Sequence, residues 1–205
     1  SGKYDQFKKN VPYSALKDSL KALIEQILSE PEEELLKWRV KIQNSVGNSG
    51  RVLFELLPEL ELIIGKQPEI TELDSIENQN RFHIVFSNFL HAIATKENPI
   101  VFFWDDLQWA DFATLTLLKE IALSSDGLFL LIIGAYRDNE VDETHPLSLT
   151  MKSLLEMNVA ITRIELHPLG MSPVCELLAD TFRSNSILVQ PLAELLYKKT
   201  AGNPY

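Results

Sequence analysis

The sequence predicts an α/β domain built on a parallel sheet, followed by a purely helical segment. Three observations lead there. Near-continuous hydrophobic runs at Ile100–Trp104, Leu128–Tyr136 and Ile161–Leu166 read as strands buried on both faces. Helix-length segments, Phe112–Leu123 and Pro146–Met157, alternate with them, as in a sheet covered by helices. Past Leu169 the strand signals stop and only helical patterns remain. The division this suggests is a core over residues 1–168 and the start of a helical lid over 169–205.

The elements follow in order. Asn10 and Pro12 supply cap and first-turn signals for a first helix. Its apolar stripe is Tyr13, Leu16, Leu20, Leu23, Ile24, Ile27 and Leu28. A second helix, acidic at its start (Glu32, Glu33, Glu34), runs toward Asn44. Asn48, Ser49 and two glycines interrupt it, and a short helix through Leu53, Leu56 and Leu57 follows. A longer helix carries Phe82, Val85, Phe86, Phe89, Leu90 and Ile93 on one stripe. After the strands, Ser172-Pro173 starts one helix and Pro191 another, which ends near Thr200 with Gly202 just beyond.

Composition narrows the function classes. The 205 residues are 45% hydrophobic and 23% charged, enough for a sizeable core. A net charge of −10 argues against a nucleic-acid surface, where Lys and Arg must neutralise phosphates. Cys175 is the only cysteine, so no internal disulfide or cysteine metal cluster forms; its neighbours Val174 and Leu177 suit a buried apolar thiol. No run approaches the roughly 18 apolar residues of a membrane span, and no signal peptide opens the chain, so a reducing cytoplasm is the expected compartment. His83, His91, His145 and His167 show no ligand spacing and read as structural.

The chemistry is concentrated in Ile100-Val101-Phe102-Phe103-Trp104-Asp105-Asp106-Leu107-Gln108-Trp109-Ala110-Asp111. Acids directly after a buried strand lie at the carboxyl end of a parallel sheet, where ligands of open α/β sheets bind. Two like charges about 4 Å apart repel by about 4 kcal/mol at an effective dielectric near 20. A divalent cation relieves that repulsion, and magnesium favours one or two carboxylates plus phosphates and waters. A strand that simply ends in solvated acids is the competing reading of the pair. Asp111 suits the cap of the following helix, and Trp104 and Trp109 suit packing.

Asp105-Asp106-Leu107-Gln108-Trp109-Ala110-Asp111 resembles the Walker B segment of the STAND class, the signal-transduction ATPases with numerous domains. Gly134-Ala135-Tyr136-Arg137 resembles that family's sensor motif, and Ala201-Gly202-Asn203-Pro204 its Gly-x-Pro motif. Ser1-Gly2-Lys3-Tyr4-Asp5-Gln6-Phe7 and Val11-Pro12-Tyr13-Ser14-Ala15-Leu16 resemble one subgroup, the AAA-type ATPase region of very large bacterial sensor kinases. There it lies between a serine/threonine-kinase-like part and GAF and histidine-kinase parts. The resemblance implies a three-layer P-loop NTPase core, truncated at its start, with part of a helical lid. It also implies that Asp105 coordinates Mg, Asp106 acts on the attacking water and Arg137 reads the terminal phosphate, while Gly202 and Pro204 approach the base. Arg137 as a plain surface partner of Asp138 or Glu140 is the alternative.

One departure matters. A P-loop needs Gly-x-x-x-x-Gly-Lys-Ser/Thr. Only Gly2 and Gly65 precede a lysine, and Tyr4 and Gln67 follow where Ser or Thr is required. In the resembling family Ser1-Gly2-Lys3 belongs to the second strand, so the chain reads as starting just after the Walker A helix. Mg and ATP are then expected in the intact parent, and neither on these residues alone. The expected partners are ATP and the parent's other domains, with self-association through the incomplete sheet as a further one. That sheet is expected to close its gap by pairing Leu128–Tyr136 with Ile161–Leu166, or by borrowing a strand from another copy. Two rivals stand beside the ATPase switch: a non-catalytic interaction scaffold on the same fold, and an all-helical magnesium-dependent isoprenoid-type enzyme using Asp105-Asp106-x-x-x-x-Asp111.

Overall fold

A computed structural model describes residues 1–5, 12–69, 74–124 and 127–203. The chain divides into two compact units, Ser1–Ala160 and Ile161–Tyr205. In the first, α1 (Ser14–Leu28) buries the predicted stripe at Leu16, Leu20, Ile24 and Ile27, and α2 (Glu32–Val46) opens on the three glutamates. The glycine-interrupted stretch is a 3-10 helix over Gly47–Glu55, and a short α3 (Leu60–Ile64) follows it. Next comes α4 (Ser75–Ile93), capped by Asp74, which accepts from the Glu77 amide at 2.8 Å. Leu16, Leu20, Ile24, Ile42, Leu53, Leu57, Phe86 and Phe89 are fully buried and form the helical part of the core. Asn10 lies outside the described residues.

The sheet has three parallel strands in the order β1 (Gly2–Lys3), β2 (Ile100–Asp105), β3 (Leu130–Gly134). Gly2 stands opposite Trp104 and Lys3 opposite Asp105, while Ile100 through Trp104 face Leu130 through Gly134. Gly2 is dictated by packing: a Cβ there would lie 2.2 Å from the Ala15 carbonyl oxygen, because α1 crosses β1 at backbone distance. Between β2 and β3 runs α5 (Phe112–Leu123), and α6 (Pro146–Glu156) follows with Pro146 in its first turn. A parallel sheet of this kind excludes the all-helical enzyme.

Two expectations about the sheet need correction. Residues 161–166 form no strand; Ile164 and Leu166 are exposed, and no ladder takes up their amides among the described residues. The expected strand there is therefore not formed, and among the described residues β3 pairs with β2. Thr162, Arg163 and Glu165 interrupt the run, so it lacks the continuous apolar character of a strand buried on both faces. The second correction concerns cover. Phe102 and Trp104 are buried on one face, but Val101, Phe103, Leu131 and Ile133, which share the other face by register, are all exposed.

In the second unit α7 (Met171–Phe182) packs on α8 (Ser186–Thr200), burying Val174, Ala179, Val189 and Ala193. Pro191 lies inside α8 and does not open it. The cap is Asn185, whose side chain accepts from the Leu188 amide at 2.9 Å. Cys175 is half-buried, not sealed in the core, and its thiol donates to the Ser186 carbonyl at 3.3 Å. Gly202 has φ +84°, and a Cβ on it would fall 2.0 Å from the Leu169 carbonyl oxygen, so only glycine fits. Among the described residues no helix is long and apolar enough to cross a membrane.

Candidate functional site

Because all three strands run the same way, their carboxyl ends share one edge. β1 ends at Lys3, β2 at Asp105, and the chain leaving β3 reaches Arg137 three residues on. Backbone bonds fix these ends together. The Tyr4 amide donates to the Asp105 carbonyl (3.1 Å), Ala135 N–H to the Trp104 carbonyl (2.9 Å), and Leu107 N–H to the Ala135 carbonyl (2.9 Å).

Asp106 turns the chain. It sits in the left-handed region (φ 55°, ψ 43°), which short polar side chains tolerate better than most, and a single 3-10 turn over Leu107–Trp109 follows. That turn sends the buried Gln108 side chain back beneath the acids. Its amide donates to Asp106 Oδ1 at 3.0 Å, and its carbonyl accepts from the Arg137 N–H at 3.3 Å. Gln108 thus ties the end of β2 to the segment after β3.

Five charged groups, Lys3, Asp105, Asp106, Arg137 and Glu140, meet at this edge. Lys3 Nζ lies 3.1 Å from Asp106 Oδ2 and 3.6 Å from Asp105 Oδ2. Arg137 Nε lies 3.6 Å from Asp106 Oδ1, and its Nη1 is 3.2 Å from Glu140 Oε1. Arg137 thus makes the surface pair with Glu140 and also faces Asp106. The Asp105 side chain is 43% exposed and that of Asp106 only 13%. Burial acts to raise the Asp106 carboxyl, but hydrogen bonds from Gln108 and Lys3, with the charges of Lys3 and Arg137, outweigh it and hold the group below its ordinary value. The Lys3 ammonium is pushed up in turn by its hydrogen bond to Asp106 and by the charge of that group. The repulsion between the two acids is thus offset internally.

Two carboxylates on an open edge fit magnesium that arrives with phosphates and keeps waters, not an all-protein cage. Among the described residues no group of three or more His, Cys, Asp or Glu could hold a metal. Asp111 is a cap: it accepts from the Thr114 amide (2.8 Å), the Thr114 hydroxyl (2.6 Å) and the Tyr13 amide (3.2 Å). Trp104 is buried and stacked on Phe102, and Trp109 packs against the core. Gly202 belongs to the second unit, and Pro204 lies outside the described residues. A cavity of about 710 Å³ lined by Trp38, Lys41, Ile93 and Ile100 lies at the amino end of β2, away from the acids.

Sequence reasoning missed Lys3 and Gln108. The two-residue strand gave no signal for Lys3; for Gln108 the signal was a polar residue inside an otherwise apolar turn.

Comparison with known proteins gives the context. The AAA ATPase domain family matches residues 1–133. The hybrid signal transduction histidine kinase G of Dictyostelium discoideum is 40% identical over 118 residues, 58% of this chain and 3% of that protein. The peroxide stress-activated histidine kinase mak2 of Schizosaccharomyces pombe is 24% identical over 213 aligned positions, 94% of this chain and 9% of that protein. The chain thus spans less than a tenth of the length of either relative. No solved structure matches. With well over half its length matched, including the strand that ends in Asp105, the chain belongs to the AAA ATPase domain family.

Proposed function

We propose that these residues form the metal and hydrolysis side of an ATP-binding, ATP-hydrolysing switch of the STAND class, within a cytoplasmic signalling protein of the sensor-kinase kind. The observation that carries the reading is the convergence of Asp105, Asp106 and Arg137 on one carboxyl edge of a parallel sheet in an AAA-family chain. In this reading Asp105 holds magnesium as the Walker B acid, Asp106 orients and deprotonates the attacking water, and Arg137 reaches the terminal phosphate. Bound magnesium supplies charge neutralisation at the phosphates. Gln108 keeps Asp106 and the Arg137 backbone in register. Gly202 and Pro204 are assigned to the base. The phosphate-gripping loop, with its backbone amides and lysine, is assigned to a segment outside these 205 residues.

Two measurements test this. In the full-length protein, Asp106→Asn should reduce turnover far more than ATP affinity, because a water-orienting group acts mainly in the transition state. Asp105→Asn should weaken Mg-ATP binding as well. Turnover at the parental rate in Asp106→Asn would sink the base assignment. The 205 residues alone should show no thermal shift at about 1 mM Mg-ATP: losing about 5 kcal/mol of binding turns a micromolar site into one weaker than millimolar. Saturable micromolar ATP binding by these residues would overturn the assignment of the phosphate grip.

The exposed face of β2 and β3 favours a second reading, an interaction scaffold that keeps the fold and self-associates through its sheet. It requires that the full-length protein bind no nucleotide, and that the 205-residue chain sediment as more than a monomer.

A further inference from the structure

We propose that the buried side chain of Gln108 is a relay between the acid and the arginine: its amide makes the placement of Arg137 depend on what the Asp106 carboxylate is bonded to. The proposal rests on the roles of Asp106 and Arg137 given above and deepens them, by assigning the residue that couples the two.

The backbone bonds between the end of β2 and the chain leaving β3 run as far as Ala135. Its N–H donates to the Trp104 carbonyl and its carbonyl accepts from Leu107 N–H, each at 2.9 Å. Arg137, two residues on, has its N–H taken up by a side chain instead, Gln108 Oε1 at 3.3 Å. Gln108 is 2% exposed, so water offers it no substitute partner. Its backbone is held in place. The preceding Leu107 is bonded to Ala135, and its side chain rests on Gly134 so closely that a Cβ there would meet Leu107 Cδ1 at 2.2 Å. What remains adjustable is the Gln108 carboxamide.

The polarity of that carboxamide is set by Asp106. An ionised carboxylate only accepts, so the amide NH₂ must face Asp106 Oδ1, which it does at 3.0 Å. The amide oxygen is then left facing the Arg137 N–H, a donor. The reverse orientation sets oxygen against carboxylate oxygen and NH₂ against N–H, two buried repulsive contacts in place of two bonds. Each bond therefore requires the other. When Asp106 turns its Oδ1 to another donor, such as the attacking water, the amide loses what orients it, and the Arg137 N–H loses its acceptor. That N–H lies at the root of the 3-10 turn Asp138–Glu140, where the Arg137 guanidinium stands between Asp106 (Nε, 3.6 Å) and Glu140 (Nη1, 3.2 Å). Gln108 is thus a positioning residue: it acts through the two residues assigned to the water and the phosphate.

Amide hydrogen exchange on the 205-residue chain tests this without nucleotide or metal, so its outcome is separate from the ATPase reading. Asp106→Gly suits the left-handed backbone at that position (φ 55°) and leaves Gln108 and Arg137 untouched. It should nevertheless speed exchange of the Arg137 N–H by about tenfold, the scale of one lost hydrogen bond. The Leu107 and Ala135 amides should keep their protection. Gln108→Met should speed the Arg137 amide by the same factor, and adding Asp106→Gly to it should change nothing further, since the path is already cut. An Arg137 amide that ignores Asp106→Gly would make Gln108 a fixed brace, and equal loss of protection at Leu107 and Ala135 would make it part of a fraying strand end; either overturns the relay. If Gln108→Met does not fold, the unaltered chain still decides: free-peptide exchange at its Arg137 N–H or its Gln108 NH₂ overturns the proposal. In the full-length protein Gln108→Met should lower kcat at least about tenfold with KM for ATP little changed, and a parental kcat overturns it as well. Parental turnover in Asp106→Asn, with the exchange coupling intact, would sink the ATPase reading alone.

Discussion

The two faces of β2 have nearly the same composition and opposite fates. Phe102 and Trp104 are 3% and 1% exposed and stack at 5.5 Å, almost parallel; Val101 and Phe103, one residue away, are 56% and 42% exposed. β3 repeats the pattern, with Leu131 and Ile133 on the open side. An unbroken apolar run is the signature of a strand covered twice, yet among the described residues one face is buried and the other exposed. What the run encodes is a capacity for burial, and a packed neighbour decides whether it is used. The alternation reaches the acids, where Asp105 is the outward group and Asp106 the inward one.

The largest expected effect is on that contrast. Trp104→Ala should cost about 3–5 kcal/mol, the range for emptying a buried aromatic site. Phe103→Ala should cost well under about 1 kcal/mol, since its ring already meets solvent. Urea unfolding of both variants decides, and equal losses would mean that the outer face is covered in solution. Next in size is the cap that starts the helix after β2. Asp111→Ala removes the acceptor of the Thr114 amide and hydroxyl and of the Tyr13 amide, and should cost about 1–2 kcal/mol. Asp111→Asn should recover part of it; full recovery would show that the Tyr13 and hydroxyl bonds, both made to Oδ2, contribute nothing.

The same contrast explains what was readable in advance. The α/β class, the helix at Phe112–Leu123 and the placement of Asp105 and Asp106 at a strand end follow from local pattern, because periodicity and an acid after an apolar run are properties of neighbouring residues. Residues 161–166 carry an apolar pattern and form no strand, because strand formation depends on pairing that no local window contains. Pro191 suggested a helix start, but Asn185 holds the cap and the helix simply tolerates the proline. Lys3 escaped because its strand is two residues long, too short for any period, and its value comes from standing opposite Asp105. Gln108 escaped because its reach to both Asp106 and Arg137 depends on the left-handed turn at Asp106, which an aspartate permits without announcing.

The smallest expected effect separates the inward acid from its surroundings by pH. The Asp106 carboxyl titrates below its ordinary value of 3.8 in the folded protein, so between the two values the unfolded chain binds more protons. Stability therefore rises with pH across that window. The contribution is fully present above about 3.8 and is lost as pH falls through the folded value. Asp106→Asn has no such proton to bind. It should be the less stable form near neutral pH, with the gap narrowing as the solution is acidified below about pH 4. The gap should be modest and should shrink in salt, because Lys3 and Arg137, the cations that sustain it, are 68% and 64% exposed and readily screened. Urea midpoints for both forms across the acid range, at low and high salt, measure it. A gap that widens on acidification would reverse the sign and show that burial, which acts to raise the carboxyl, prevails over Gln108, Lys3 and Arg137.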